Sequence, residues 1–386
     1  MTPITNIVFD ITLDCNFRCR YPCFVYKEPK RATKEVCNQL INFLLSVAPP
    51  GQPVSIGFFG GEPLLEWDLM AWTMEEGLKR AAMTGREIGF SVTTNGSLLT
   101  EDRIKFLASH NCGVLFSIDG SPEVNDLSRV YADGRGTFKD IEQAAKLVVA
   151  YKNQLPNLTA RVTWNPEFHQ RGREVAEFLV DMGFPDVAIC PVEEADYEKV
   201  WDEYCRSEHE LADFFIERTL QRRMPPLSFT TRYLSMIWQD NVLGNYQPQV
   251  TLCGAGRGML GCDPEGNLYP CHRFPETPFL RKFKLGDIWH GLNWDEKAKY
   301  DLLNIYQFQF PYDCRTCEVW PYCGPPCIGV NGDFSGTIFR SVKGRCLWHR
   351  VHVKECKRIH ETLKDDPYYR QMASKGFMPQ SMGPVY

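Results

Sequence analysis

Apolar residues in the first half of the chain follow two alternating rhythms. Short runs rich in β-branched and aromatic residues occur at Ile4–Thr12, Val54–Phe59, Ile88–Thr93, Val114–Ile118, Leu158–Thr163 and Val187–Pro191, and they predict strands. Between them lie segments with apolar residues three and four apart. In Ala32–Ser46, for example, Leu40, Phe43 and Leu44 share a helical face. Trp67–Ala82, Glu101–Ser109, Phe138–Tyr151 and Arg173–Met182 read the same way. Six βα-type units in a row predict an α/β fold with a parallel sheet and outer helices. Right-handed crossovers curl such a sheet into a partial (β/α)6, TIM-like barrel. Ligands in these folds bind at the C-terminal ends of strands. That is where Asp14–Cys23, Gly60–Pro63, Asn95–Gly96 and Asp119–Gly120 fall.

The rhythm then changes. Ala195–Arg223 reads as a charged helical connector, with Arg218, Arg222 and Arg223 as a solvated face. After Thr251 regular periodicity is lost, while cysteine, glycine and proline become frequent. The expected division is a barrel over residues 1–205, a helical connector over 206–250, an irregular cysteine-rich domain over 251–356 and a polar tail over 357–386. A segment this irregular cannot easily bury a conventional core, and metal ligation is a means of holding it.

Composition narrows the chemistry. A formal net charge of −5 and a pI near 6.0 provide no basic field for nucleic acid or an anionic membrane. No stretch reaches the roughly 18 apolar residues of a membrane span, and the N-terminus lacks a basic region ahead of an apolar one, so a cytoplasmic protein is expected. In that reducing setting 16 cysteines point to metal ligation rather than disulfides. Isolated Cys37, Cys112, Cys190 and Cys205 are expected to be small buried hydrophobes.

Two cysteine constellations stand out. Cys15, Cys19 and Cys23 share one loop after the first strand, C-N-F-R-C-R-Y-P-C. Three thiolates can hold three irons of a [4Fe–4S] cube and leave the fourth open. A structural zinc site is the alternative, but no fourth Cys or His lies between Asp14 and Lys30. The second constellation is Cys253, Cys262 and Cys271, then C-x2-C-x5-C-x3-C at Cys314, Cys317, Cys323 and Cys327, then Cys346. Two zinc sites are the alternative there. Gly60-Gly61-Glu62-Pro63, at the end of the second strand, lets backbone approach a ligand closely.

These motifs resemble the radical SAM (S-adenosylmethionine) superfamily in the first half. The second half resembles its SPASM extension, whose pattern is C-x(9–15)-G-x4-C, a gap, C-x2-C-x5-C-x3-C, a gap, and a final C. Cys253, Gly266 and Cys271 fit the first part, Cys314 to Cys327 the second and Cys346 the last. The usual N-terminal loop is C-x3-C-x2-C. Here Tyr21 stands where an aromatic is expected and Pro22 lengthens the spacing to C-x3-C-x3-C.

The resemblance implies S-adenosylmethionine and three [4Fe–4S] clusters, one catalytic and two auxiliary. It assigns Cys15, Cys19 and Cys23 to the first, and Gly60, Gly61, Glu62 and Pro63 to the amino group of S-adenosylmethionine. Asn95, Ser117 and Arg129 would contact its ribose or carboxylate, and Tyr21 its adenine. Cys314, Cys317, Cys323 and Cys346 would hold one auxiliary cluster. Cys253, Cys271 and Cys327 would hold the other, with Cys262 or a substrate atom as fourth ligand and Cys356 structural or an alternative to Cys346. His272, beside a cluster cysteine, is a candidate proton relay. A reduced flavodoxin or ferredoxin would supply electrons.

Two branches of the family compete. His272 after Cys271, and Cys323-Gly-Pro-Pro-Cys327, depart from the Asp and C-x-G-G-C typical of anaerobic sulfatase-maturing enzymes. Cys271-His-Arg-Phe274 is closer to enzymes that oxidise or crosslink ribosomal peptides. The expected substrate is therefore a peptide or protein side chain, with Glu193, Glu194 and Asp196 lining the mouth or forming a solvated loop. Formylglycine formation, small-molecule dehydrogenation or epimerisation, and a non-catalytic iron–sulfur scaffold are the alternatives.

Overall fold

The computed structural model describes residues 1–21, 27–165 and 168–377, without the side chain of residue 315. Strands β1 (Asn6–Thr12), β2 (Val54–Gly60), β3 (Ile88–Thr94), β4 (Cys112–Ser117), β5 (Leu158–Trp164) and β6 (Val187–Pro191) pair in chain order, all parallel. Helices α1 (Lys34–Val47), α2 (Trp67–Met83), α3 (Glu101–Ser109), α4 (Pro122–Ser128), α5 (Phe138–Ala150) and α6 (Gly172–Met182) make the crossovers. The sheet ends at β6, so the barrel is partial. In β3 burial alternates: Ile88, Phe90 and Val92 are buried on the face that meets the outer helices, while Gly89, Ser91 and Thr93 are half-exposed on the opposite face. Gly57 on β2 abuts Ser91 on that second face, where a Cβ would sit 3.1 Å from its Oγ. Small residues thus keep the inner face of the barrel open.

Boundaries follow local chemistry. The Thr33 and Thr100 hydroxyls accept from Val36 N and Arg103 N to cap α1 and α3. Gly183, at φ +98°, ends α6 in the left-handed region that glycine adopts without strain.

The second half is more regular than its pattern suggested. Strand β7 (Met259–Cys262) pairs parallel with the free edge of β1, and β8 (Asn267–Tyr269), β9 (Gly286–Asp287) and β10 (Gly291–Leu292) add antiparallel strands beyond it. The ten-stranded order is β10-β9-β8-β7-β1-β2-β3-β4-β5-β6, so one sheet crosses the boundary expected at Thr251. The remaining helices are α7 (Trp201–Leu220), α8 (Ser228–Trp238), α9 (Arg273–Glu276), α10 (Trp294–Leu302), α11 (Ile328–Ser335), α12 (Lys343–Leu363) and α13 (Pro367–Ser374). The expected charged connector, α7, buries Tyr204, Leu211, Phe214 and Phe215 and packs against α6 and α12. Its outer arginines are solvated and paired, Arg218 with Asp181 and Arg222 with Asp366. The expected polar tail contains α13, whose fully buried Tyr369 hydroxyl meets His360 Nδ1 at 3.0 Å. No described helix is long and apolar enough to cross a membrane.

Candidate active site and cysteine clusters

The loop after β1 is stitched to its surroundings by backbone. Arg18 N donates to Val130 O at 2.7 Å and Arg20 N to Ser128 O at 2.8 Å, laying the loop along the segment after α4. Phe17 packs edge-on against Tyr131, with ring centres 4.9 Å apart. Cys15 is buried and Cys19 half-buried. Burial pushes the Cys15 thiol up to about 11 and raises Cys19, while the Arg129 charge draws Cys19 back down. Such thiols need a metal or a cation to ionise. Cys23, the third expected ligand, lies outside the described residues.

The Gly-Gly-Glu-Pro turn clips onto this loop. Gly61 N donates to Thr12 O at 2.8 Å and Glu62 N to Asp14 O at 2.9 Å. A Cβ on Gly60 would sit 2.1 Å from Thr12 O, and one on Gly61 1.9 Å from Asp14 O. Both glycines are therefore required by the close approach of two backbones. Glu62, fully buried, accepts from Leu64 N at 3.0 Å, Thr94 Oγ1 at 2.8 Å and Asn95 N at 2.7 Å. Burial pushes its carboxyl up to about 7, against the pull of those donors. The side chain of Glu62 thus braces the ends of β2 and β3. Asn95 extends the network, with Nδ2 donating to Asn16 Oδ1 at 2.9 Å and lying 3.9 Å from Cys15 Sγ.

A polar triad lies on the other side of the loop. The Tyr21 hydroxyl donates to Asp119, and Arg129 pairs with the same carboxylate through Nε at 3.0 Å and Nη2 at 3.1 Å. The guanidinium lies 5.3 Å over the Tyr21 ring. All three are buried. Tyr21 and Arg129, expected as separate contacts, are joined by Asp119, a residue given no role from sequence although it stands at a strand end. Ser117 closes β4 and is half-exposed.

The distal cysteines sort into two groups. Cys314, Cys317, Cys323 and Cys346 line one cavity together with Tyr312 and Trp320. Cys346 comes from the first turn of α12, and its neighbour Arg345, buried, donates to Cys323 Sγ at 3.3 Å and to Gly324 O at 2.6 Å. Cys253, Cys271 and Cys327 are the expected second group: burial raises the Cys271 thiol, Cys327 and Cys253 raise it further, and Cys253 is exposed. Among the described residues, no three His, Cys, Asp or Glu side chains are placed to hold one metal ion. Tetrahedral zinc would need sulfurs about 3.8 Å apart, from Zn–S bonds near 2.3 Å.

Cys262 does not join the second group. It is fully buried at the end of β7, where it donates to Asp263 O and lies beside Cys37 and Asp10. β7 alternation is the cause: Gly261, its neighbour, faces Cys271 and His272, and a Cβ there would sit 2.3 Å from the Cys271 carbonyl carbon. Cys356, also buried, points Sγ at Thr230 O and packs as a structural residue.

That close approach brings His272 to the barrel. Its ring lies 4.4 Å from Phe59, the residue before Gly60. Burial and the Arg273 charge push the imidazole down to about 3, so it is neutral, and its buried Nδ1 has no hydrogen-bond partner.

Residues 10–179 match the Radical SAM superfamily. The chain is 24% identical over 350 residues to a cysteine-type anaerobic sulfatase-maturating enzyme of Clostridium perfringens, covering 85% of this chain and 89% of that protein. It is 23% identical to the radical SAM cyclopropyl synthase TigE of Paramaledivibacter caminithermalis, covering 91% and 73%. The solved structure of native anSMEcpe with bound AdoMet and Cp18Cys peptide superposes with a TM-score of 0.72 at 22% identity, covering 97% and 99%.

Proposed function

On the premise that residues 10–179 make this chain a radical SAM enzyme, we propose that it oxidises or crosslinks a peptide or protein side chain. The observation that carries this reading is the contact of His272 with Phe59, which sets the cysteine-rich half against the mouth of the barrel. A relative is named for acting on sulfatases and a solved structure of the same fold holds a peptide, which favours a polypeptide over a small molecule.

The residues present suit the group the family uses. Cys15 and Cys19, with Cys23, would hold the catalytic cluster. The backbone of Gly60 to Pro63, Asn95, Ser117 and the Tyr21–Asp119–Arg129 triad would hold S-adenosylmethionine. When bound, this pair supplies a 5′-deoxyadenosyl radical that removes a hydrogen atom from the substrate. Arg129 has a buried positive charge fixed by Asp119 and suited to orient an anionic group. The bracing of Glu62 holds the Gly-Gly turn rigid, so that the turn orients whatever it binds. Gly261 packs directly on the Cys271 backbone, which holds His272 beside Phe59. Neutral His272, its imidazole pushed down to about 3, is too weak a base to take up a proton near neutral pH and serves as an uncharged wall beside Phe59. Cys314, Cys317, Cys323 and Cys346, and separately Cys253, Cys271 and Cys327, would hold two auxiliary clusters able to take up the substrate electron, with flavodoxin or ferredoxin as the external donor.

Formylglycine formation is the second reading, favoured by the similarity to the sulfatase-maturating enzyme over most of both chains. One experiment separates them. Reduced enzyme and S-adenosylmethionine are incubated anaerobically with peptides encoded near its gene and with a sulfatase peptide. Loss of two hydrogens, with one 5′-deoxyadenosine per event, supports crosslinking or oxidation. Loss of the cysteine sulfur from the sulfatase peptide would select the second reading. Conversion of a free sugar or amino acid alone would overturn both.

A further inference from the structure

Strand β5 carries a single charged residue, Arg161, and it stands on the face that lines the barrel. We propose that the Arg161 guanidinium binds a carboxylate of the polypeptide substrate. The proposal rests on the reading above that the substrate is a peptide or protein.

Register fixes where the residue points. Gly57 and Ser91 pair on the inner face, and across β3 and β4 Ser91 pairs with Gly113 and Thr93 with Leu115. Leu115 in turn pairs with Thr159 and Ser117 with Arg161, and Arg161 pairs with Ala188 on β6. Partners in neighbouring strands share a face of the sheet. Arg161 therefore stands on the inner wall between Ser117 and Ala188, near the strand ends where such folds bind ligands. It is half-buried. The sheet ends at β6, one strand away, so Arg161 lies beside the side on which the barrel does not close.

Among the described residues no carboxylate pairs with it, and its one hydrogen bond runs from Nη1 to the Val162 carbonyl. Asp119 is close enough to feel the Arg161 charge, but its oxygens are taken. Oδ1 accepts from Arg129 Nη2 at 3.1 Å and Thr163 N at 3.0 Å, and Oδ2 from Arg129 Nε at 3.0 Å and the Tyr21 hydroxyl. Arg129 cancels the charge of Asp119, and Arg161 is left as a surplus cation in the wall. Glu193, beyond β6, is packed instead at the start of α12, where a Cβ on Gly344 would sit 2.4 Å from its carbonyl oxygen. The free edge of the guanidinium is a planar fork of N–H donors, which matches a carboxylate. S-adenosylmethionine carries a carboxylate too, but the groups expected to hold its amino-acid end, Cys15, Cys19 and Gly60 to Pro63, follow β1 and β2. β5 is three strands from β2, about 14 Å along the sheet at about 4.8 Å per strand. That separation favours the substrate as the source of the carboxylate.

The test uses the full-length enzyme, reconstituted anaerobically, and the peptide that it converts in the assay above. Each Asp and Glu of that peptide is changed in turn to Asn or Gln, and its C-terminus is amidated. KM is then measured with the unaltered enzyme, Arg161→Gln and Arg161→Lys. One of these peptide changes is expected to raise KM by about 10- to 100-fold with Arg161 in place, the range of a charge-assisted pair. The same change should add less than about threefold with Arg161→Gln, because the partner is already gone. Arg161→Lys, which keeps the charge and loses the fork, should fall between, and it gives the same comparison if Arg161→Gln folds poorly. Affinity for S-adenosylmethionine, from equilibrium dialysis without peptide, is expected to stay within about twofold. A fall in that affinity of about tenfold or more would assign Arg161 to the cofactor and overturn the proposal. Peptide changes that act alike in all three enzymes would overturn it and leave the peptide reading intact. Conversion of a small molecule and of no peptide would overturn that reading and the proposal together.

Discussion

Adding one methyl group at Gly61 should disable the site while leaving the distal half intact. The new Cβ would lie 1.9 Å from Asp14 O, where ordinary contact begins at 3.4 Å, so the backbone ahead of Cys15 must retreat by about 1.5 Å. If the segment resisted, the overlap would cost about 1–3 kcal/mol. The two bonds of the clip, Gly61 N to Thr12 O and Glu62 N to Asp14 O, would add about 0.5–1.5 kcal/mol each. A contact of 1.9 Å cannot be held, so the segment retreats, and it carries Cys15 away from Asn95. Misplacement by about 1 Å at a reacting centre costs on the order of 100-fold in rate. Gly61→Ala is therefore expected to lower 5′-deoxyadenosine formation by about 100-fold or more, measured by chromatography after anaerobic reduction, with the distal cluster spectra unchanged. Gly89→Ala is the control, because nothing lies within 4 Å of its Cβ. A Gly61→Ala protein within about threefold of the unaltered rate would refute the clip as the element that positions the cluster loop.

Other outcomes follow from the same geometry. Asp119→Ala strands Arg129 in a buried position and should destabilise the protein by about 3–5 kcal/mol in urea titration, whereas Arg222→Ala at an exposed pair should leave the midpoint near its original value. Glu62 has its carboxyl raised from 4.5 to about 7 by burial, so the folded state keeps a proton that the unfolded chain releases; stability should fall as pH rises from about 4.5 to 7 and level off above, and the stability difference from Glu62→Gln should shrink over that window. A difference growing with pH would contradict the assignment. Cys262→Ala should retain full iron content by chemical analysis, while Cys271→Ala should lose about four irons.

The barrel was legible because its strands are buried parallel runs, which read as continuous apolar stretches flanked by amphipathic helices. Helix α4 escaped notice: Pro122–Ser128 is seven residues long and spans barely two turns. In the second half the strands are four, three, two and two residues long, too short for any period to register. Helix α12 was hidden for another reason. Its buried face carries Arg345, His349, His352 and His360 among the aliphatics, so it reads as polar. His352 and Glu208 form one of the contacts that bury it, at 3.0 Å. The cysteine spacing singled out Cys314, Cys317, Cys323 and Cys346, which line one cavity, but had no means of showing the groups between them. Asp119 bridging Tyr21 and Arg129, and Arg345 reaching Cys323, depend on strands and helices far apart in the chain.

The position of β1 sets the order in which this protein can be made. Its two neighbours are separated by about 200 residues, β2 ending at Gly60 and β7 beginning at Met259. At a synthesis rate of about 5–20 residues per second, one edge of β1 waits about 10–40 s for its partner to leave the ribosome. For that interval the strand that leads into Cys15 presents unpaired N–H and C=O groups, a template for association with another chain. Slower translation lengthens the wait, and a truncated chain ending before Met259 never ends it. Yield of the intact protein should therefore depend on the pace of synthesis between residues 60 and 259, and a barrel expressed without β7 should accumulate as aggregate.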